Sequence, residues 1–117
     1  MQQHHAIDYI EISVTDMAAA KQFYSAAFGW QFTDYAPVYA GIQRVDGDGE
    51  MGGICLVDSL SSGGPLVILF SNDLQQTQAA VEAADGEIST PIFEFPGGRR
   101  FHFKDPSGNE LAVWSPS

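Results

Sequence analysis

The sequence has a single cysteine, Cys55, in 117 residues. One thiol excludes a disulfide framework and a thiolate metal cluster. Lying in an apolar run, Cys55 reads as a small buried hydrophobe. Basic residues are also scarce: Lys and Arg number 5 against 15 Asp and Glu, for a formal charge of −10. Phosphate neutralisation needs clustered Lys and Arg, so nucleic acid is excluded as a partner. An anionic membrane is excluded for the same reason, and the acidity itself describes a soluble, self-repelling surface. No apolar run approaches the roughly 18 residues of a membrane span. Met1-Gln2-Gln3-His4-His5 lacks the basic stretch and apolar run of a secretory leader, and the histidine pair in that tail carries no metal-site expectation alone. A cytoplasmic location is the expectation.

Apolar residues make up 44% of the chain and aromatics 12%, enough for the core of one compact domain. Asp8 to Val14 alternates, with Ile10, Ile12 and Val14 on one face and Tyr9, Glu11 and Ser13 on the other. Asp16 is placed to cap a helix. From Met17 to Phe28, Ala20, Phe23, Tyr24, Ala27 and Phe28 form one stripe at helical spacing, and Gly29 ends it. Extended runs follow over 30–34, 38–45 and 51–57, with Asp46-Gly47-Asp48-Gly49 as a turn.

Residues 58–64 form a Ser/Gly-rich linker, and the same order then repeats. Leu66 to Phe70 is a strand, Asp73 a cap, and Leu74 to Ala84 a helix ended by Asp85-Gly86. Glu87 to Ser89 starts a strand and 90–96 is a further extended run. A hairpin closes the chain, with Phe101 and Phe103 alternating against Arg100, His102 and Lys104, then Leu111 and Val113 against Glu110, Ala112 and Trp114. Pro106, Gly108 and Asn109 supply its turn. The expected fold is α+β: one domain over 1–117, with βαβββ modules at 6–57 and 65–115. The modules form a curved mixed sheet with helices on the outer face, leaving the other face as a trough. Tyr9, Glu11, Ser13, Arg100, His102, Glu110, Ala112 and Trp114 line it.

Tyr9 to Met17, Ala20 to Trp30 (with its Phe-Tyr and Phe-Gly-Trp) and the Asp105-Pro106-Ser107-Gly108-Asn109 turn resemble the vicinal oxygen chelate superfamily of glyoxalase I, extradiol dioxygenases and bleomycin-resistance proteins. The resemblance covers roughly residues 6–115. It implies paired βαβββ modules, a homodimer, and in metal-dependent members a divalent ion held by His and Glu. Carried over by position, the ligand sites fall on Tyr9, Leu66, Ala112 and the strand near Glu50. Leu and Ala cannot coordinate a metal and Tyr replaces imidazole poorly, so no metal and no cofactor is expected.

The candidate residues divide by chemistry. Glu11 and His102 are the candidate acid–base pair, and a buried Glu11 would have a raised pKa. Tyr9, Ser13, Arg100 and Trp114 are the candidate ligand contacts, with Arg100 suited to an anionic group. Three functions remain open: a metal-free binder of a small, partly aromatic molecule, a lyase, isomerase or dioxygenase-like enzyme using Glu11 and His102, and an interaction module whose trough is filled by its own side chains.

Overall fold

The computed structural model describes residues 4–5, 7–60 and 65–116, so residues 61–64 of the expected linker lie outside the described residues. β1 (Ile10–Val14) leads into α1 (Met17–Phe28), then β2 (Phe32–Ala36), β3 (Tyr39–Gln43) and β4 (Glu50–Leu56). β5 (Val67–Phe70) leads into α2 (Leu74–Ala83), then β6 (Glu87–Phe95), β7 (Gly98–Lys104) and β8 (Glu110–Ser115). Two four-stranded sheets result, ordered β1-β4-β3-β2 and β5-β8-β7-β6. In each, the strand before the helix pairs in parallel with the last strand of its module, and the other pairings are antiparallel. The chain thus has the expected glyoxalase-like α+β architecture.

Local chemistry sets the helix ends. Asp16 accepts the Ala19 N–H at 3.0 Å and Asp73 the Gln76 N–H at 3.1 Å, caps worth about 1 kcal/mol each. Gly29 closes α1 at φ 74°, in the left-handed region where a Cβ is disfavoured. Ala20, Phe23 and Tyr24 of α1 are buried with Ile12, Val14, Ile42, Ile54, Val81, Phe101, Phe103 and Val113 in one core. That core is shared by both modules: Phe103 of β7 lies 5.9 and 5.6 Å from Phe23 and Phe28 of α1. The extended run expected from Trp30 begins at Phe32, and Trp30 itself is a core residue stacked on Tyr24 at 4.7 Å.

Strands β4 and β6 are irregular. The stretches 87–89 and 90–96 form one strand, β6, whose register slips between Ile88 and Thr90 and again between Thr90 and Phe93. Pro91 sits at the second slip, which a sheet-edge strand tolerates because its missing N–H breaks no ladder. In β4, Ile42 faces Gly52 while Gln43 faces Glu50, so Met51 is the extra residue of a bulge and packs on the core.

The modules are tied by the turn before β8. Asp105, 5% exposed, accepts the backbone N–H groups of Ser107 and Asn109 on Oδ1 and the Tyr24 hydroxyl and Asn109 amide on Oδ2, all at 2.9–3.0 Å. Asn109 also donates to the Ser13 carbonyl at 2.6 Å, and Ser107 Oγ accepts the Thr15 N–H at 2.8 Å. Burial, then the Asp105 charge, raises the Tyr24 pKa far above the ordinary phenol value. Asp105→Ala leaves these donors unsatisfied and is expected to cost about 3 kcal/mol, against about 1–2 kcal/mol for Tyr24→Phe, both read by urea denaturation.

Candidate functional site

The faces turned away from the core differ sharply between the modules. On the first, Tyr9 precedes β1, Glu11 lies within it, and β3 contributes Tyr39, Gly41 and Gln43. Glu11 is in register with Gly53, and Gly53 with Gly41. These glycines leave a hollow that other side chains fill. A Cβ on Gly53 would overlap the Tyr39 and Tyr9 hydroxyls, and one on Gly41 would overlap the Glu50 carboxylate. Glu50 reaches this face because the β4 bulge turns it over, sending Met51 to the core. The Tyr9 and Tyr39 hydroxyls bond to each other, and the Tyr35 hydroxyl donates to Glu50.

This network holds protons on the Tyr35 and Tyr39 phenols. The Tyr39 pKa is raised by its bond to Tyr9, then by desolvation and the Glu11 carboxylate. The Tyr35 pKa is raised chiefly by its bond to Glu50. Glu11 itself is exposed and not sunk among apolar groups. The burial expected of it is lacking, because β1 lies at a sheet edge.

The second module's face is a strip of rings. Phe70 of β5 packs edge-on against Trp114 at 5.5 Å, and Trp114 lies 6.3 Å from Phe95. The Arg100 guanidinium lies 5.3 Å from the Phe93 ring and 5.4 Å from Phe95, within cation–π range. Phe93 in turn lies 5.9 Å from the His102 ring. The slip in β6 places Phe93 opposite Arg100 and leaves Ile92 against the core. His102 Nδ1 and Glu110 Oε2 are 3.0 Å apart, and Ser89 Oγ donates to the same oxygen. The carboxylate accepts, so Nδ1 carries the proton and Nε2 is left over. Among the described residues, His102 Nε2 and Arg100 Nε are closed off from solvent without a hydrogen-bond partner, a condition that costs about 1–3 kcal/mol per group.

Between the modules runs a cleft of about 750 Å³. Its walls are the edges of β1 and β5 and the start of β8: Tyr9, Ile10, Glu11 and Ser13 face Leu66, Ile68 and Glu110. Ile68 is two residues from Phe70 on the same face of β5, and Phe70 pairs with Trp114, so cleft and ring strip adjoin. Tyr9, Glu11 and Ser13 thus meet at the cleft, and Arg100, His102 and Trp114 at the strip. Glu11 is linked to Tyr39 and His102 to Glu110 rather than to one another. Sequence reasoning missed Tyr35, Tyr39, Glu50 and Phe93 as site residues, and it placed Glu110 on the trough by alternation without giving it a role. Cys55 is half-buried on the Tyr39 side of β4, not in the core.

These features meet a known family. The sequence matches the Glyoxalase/Bleomycin resistance protein/Dioxygenase superfamily over residues 6–113. The chain belongs to that superfamily. Its fold is similar to that of a glyoxalase-related enzyme from Fulvimarina pelagi (TM-score 0.79, 20% identity, 95% of this chain and 88% of that one). It is also similar to that of TnmS3, an antibiotic-binding protein from Streptomyces sp. CB03234 (TM-score 0.72, 22% identity, 100% of both chains). The anthracycline biosynthesis protein DauV of Streptomyces sp. (strain C5) is 28% identical over 124 residues, with 91% of this chain and 45% of DauV covered. The chain thus spans about half the length of the curated relatives it matches. No helix among the described residues is long and apolar enough to cross a membrane.

The donor set does not fit the superfamily's divalent ion. Leu66 and Ala112 have no donor atom, and the Tyr9 hydroxyl is engaged by Tyr39. No group of three or more His, Cys, Asp or Glu residues converges among the described residues.

The phenol network predicts an alkaline response. The folded Tyr39 pKa is raised above its ordinary 10.0, so its contribution to stability is complete below that value and is lost as pH rises through the raised one. Urea unfolding should show stability falling above pH ~10, less steeply in Tyr39→Phe. Gly53→Ala should cost about 1–3 kcal/mol by overpacking and shift phenol ionisation, followed by ultraviolet absorbance, back toward ordinary values.

Proposed function

We propose that this chain is a metal-free, small-molecule-binding member of its superfamily, active as a homodimer in the cytoplasm. The cleft of about 750 Å³ carries the reading. It lies in the size range of small-molecule sites, about 300–1,000 Å³, and has their composition of apolar walls with a few polar groups. Ile10, Leu66 and Ile68 supply the walls, and Tyr9, Glu11, Ser13 and Glu110 the polar atoms. The adjoining ring strip extends the surface toward an aromatic ligand. TnmS3, named as antibiotic-binding, and DauV, named for anthracycline biosynthesis, support the reading by analogy. The homodimer is supported by the free edges of β1 and β5, beside which Ile7, Ile10, Leu66 and Ile68 are 87%, 39%, 39% and 44% exposed.

A second reading rests on one observation. The Glu110 carboxylate orients His102 and leaves the buried Nε2 without a partner, the nitrogen through which a lyase, isomerase or dioxygenase-like enzyme using Glu11 and His102 would move a proton. In that reading Glu11 exchanges a proton from the cleft while His102 acts from the strip.

A thermal-shift screen separates the two. Aromatic metabolites and glycopeptide antibiotics are expected to raise the melting temperature, and divalent ions to leave it unchanged. A shift with a divalent ion and with no organic molecule counts against the binding role. If turnover is found, Glu11→Gln with undiminished rate removes Glu11 from the mechanism. Light scattering should give twice the chain mass.

A further inference from the structure

Resting on the binding reading, we infer that the ring strip of the second module takes an aromatic molecule bearing an anionic oxygen, a carboxylate or ionised phenol, with Arg100 as its counter-charge. The chain carries 15 acidic residues against 5 basic ones, so a guanidinium without a carboxylate is the exception. Lys21 pairs with Asp34 and Arg44 with Asp46, whereas Arg100 forms no ion pair among the described residues. The carboxylates nearest in the sheet are committed elsewhere. Glu94 is in register with Arg99, on the opposite face, and Glu110 is bound to His102.

What surrounds Arg100 is aromatic. Phe93 and Phe95 flank the guanidinium, and Trp114 is its cross-strand partner on β8. Rings on both sides hold the charge in place without neutralising it, and Arg100 Nε is closed off from solvent among them. A flat ligand lying along Trp114 and Phe70 brings its own oxygen to the guanidinium fork, where charge-assisted bonds favour an anion over its neutral isostere. His102 Nε2, beside the same Phe93 ring, is a second unpartnered atom at that end of the strip. Phe70 is 58% exposed, so the other end is open to entry.

The test is a titration of the full chain with naphthoate, naphthamide and naphthylmethylamine, followed by tryptophan fluorescence. Trp30, buried against Tyr24, supplies a constant background, and Trp114→Phe locates the signal. The inference expects saturable quenching by naphthoate that vanishes in Trp114→Phe, with naphthamide about 10-fold weaker and the amine weaker still. Arg100→Gln should abolish the preference for naphthoate over the amide, and Arg100→Lys should keep part of it. Amide or amine binding as tight as naphthoate, or an unchanged preference in a folded Arg100→Gln, overturns the inference while the binding reading stands. If Arg100→Gln does not fold, the comparison of carboxylate with amide on the unaltered chain decides alone. No saturable Trp114 signal with any of the three removes both the inference and this strip as a ligand surface.

Discussion

The Asp105 carboxylate holds the two halves of this molecule in one arrangement. A buried carboxylate is tolerated only when its oxygens are fully hydrogen-bonded. Here the donors come from the turn itself and from Tyr24 of the first module's helix. The same turn reaches β1 through Asn109 and Ser107. The start of β8 is thereby set against the edge of β1, and the cleft lies beside that junction. The Asp-Pro-x-Gly-Asn sequence is thus more than a turn former: it fixes the distance between modules that the cleft needs.

Two slips in strand register then decide what the outward faces carry. A one-residue slip sends each following side chain to the other face of a sheet. The bulge at Met51 delivers Glu50 to the phenols of Tyr35 and Tyr39, and the slip at Pro91 delivers Phe93 and Phe95 to Arg100. The outcome is electrostatically lopsided. One face gathers carboxylates and protonated phenols, and the other gathers rings around an uncompensated cation. A repeated βαβββ scaffold has been given two unlike surfaces by local irregularities alone.

That asymmetry bears on function more than the superfamily does. The fold hosts lyases, oxygenases and binding proteins, and fold alone does not choose among them. The chemistry usually built around a divalent ion has no donor set here, since Leu66 and Ala112 stand at two of the positions. What replaces it is an apolar cleft opening on a π surface, an arrangement suited to holding a molecule. The His102–Glu110 pair keeps a proton-transfer role chemically reasonable, because an oriented imidazole with a free nitrogen is the simplest acid–base device a sheet can offer.

The alternation of β1, β7 and β8, the helical stripe of α1 and the capping aspartates were legible because each is a local pattern with one physical meaning. From them followed the repeated topology and the placing of Tyr9, Glu11, Ser13, Arg100, His102 and Trp114 on outward faces. The pairing of Glu11 with His102 was not legible. It depended on which carboxylate lies nearest, and Glu110, eight residues along the same hairpin, outcompetes a residue on another sheet. Glu50, Tyr35 and Phe93 were hidden for a different reason: period-two reading assumes unbroken register, and both sheets break it. The sequence by itself therefore determined the elements, their order and the faces of the regular strands. Only tertiary structure decided the bulged faces, the cleft and the partners of each polar group, because these depend on contacts between strands that no local period encodes.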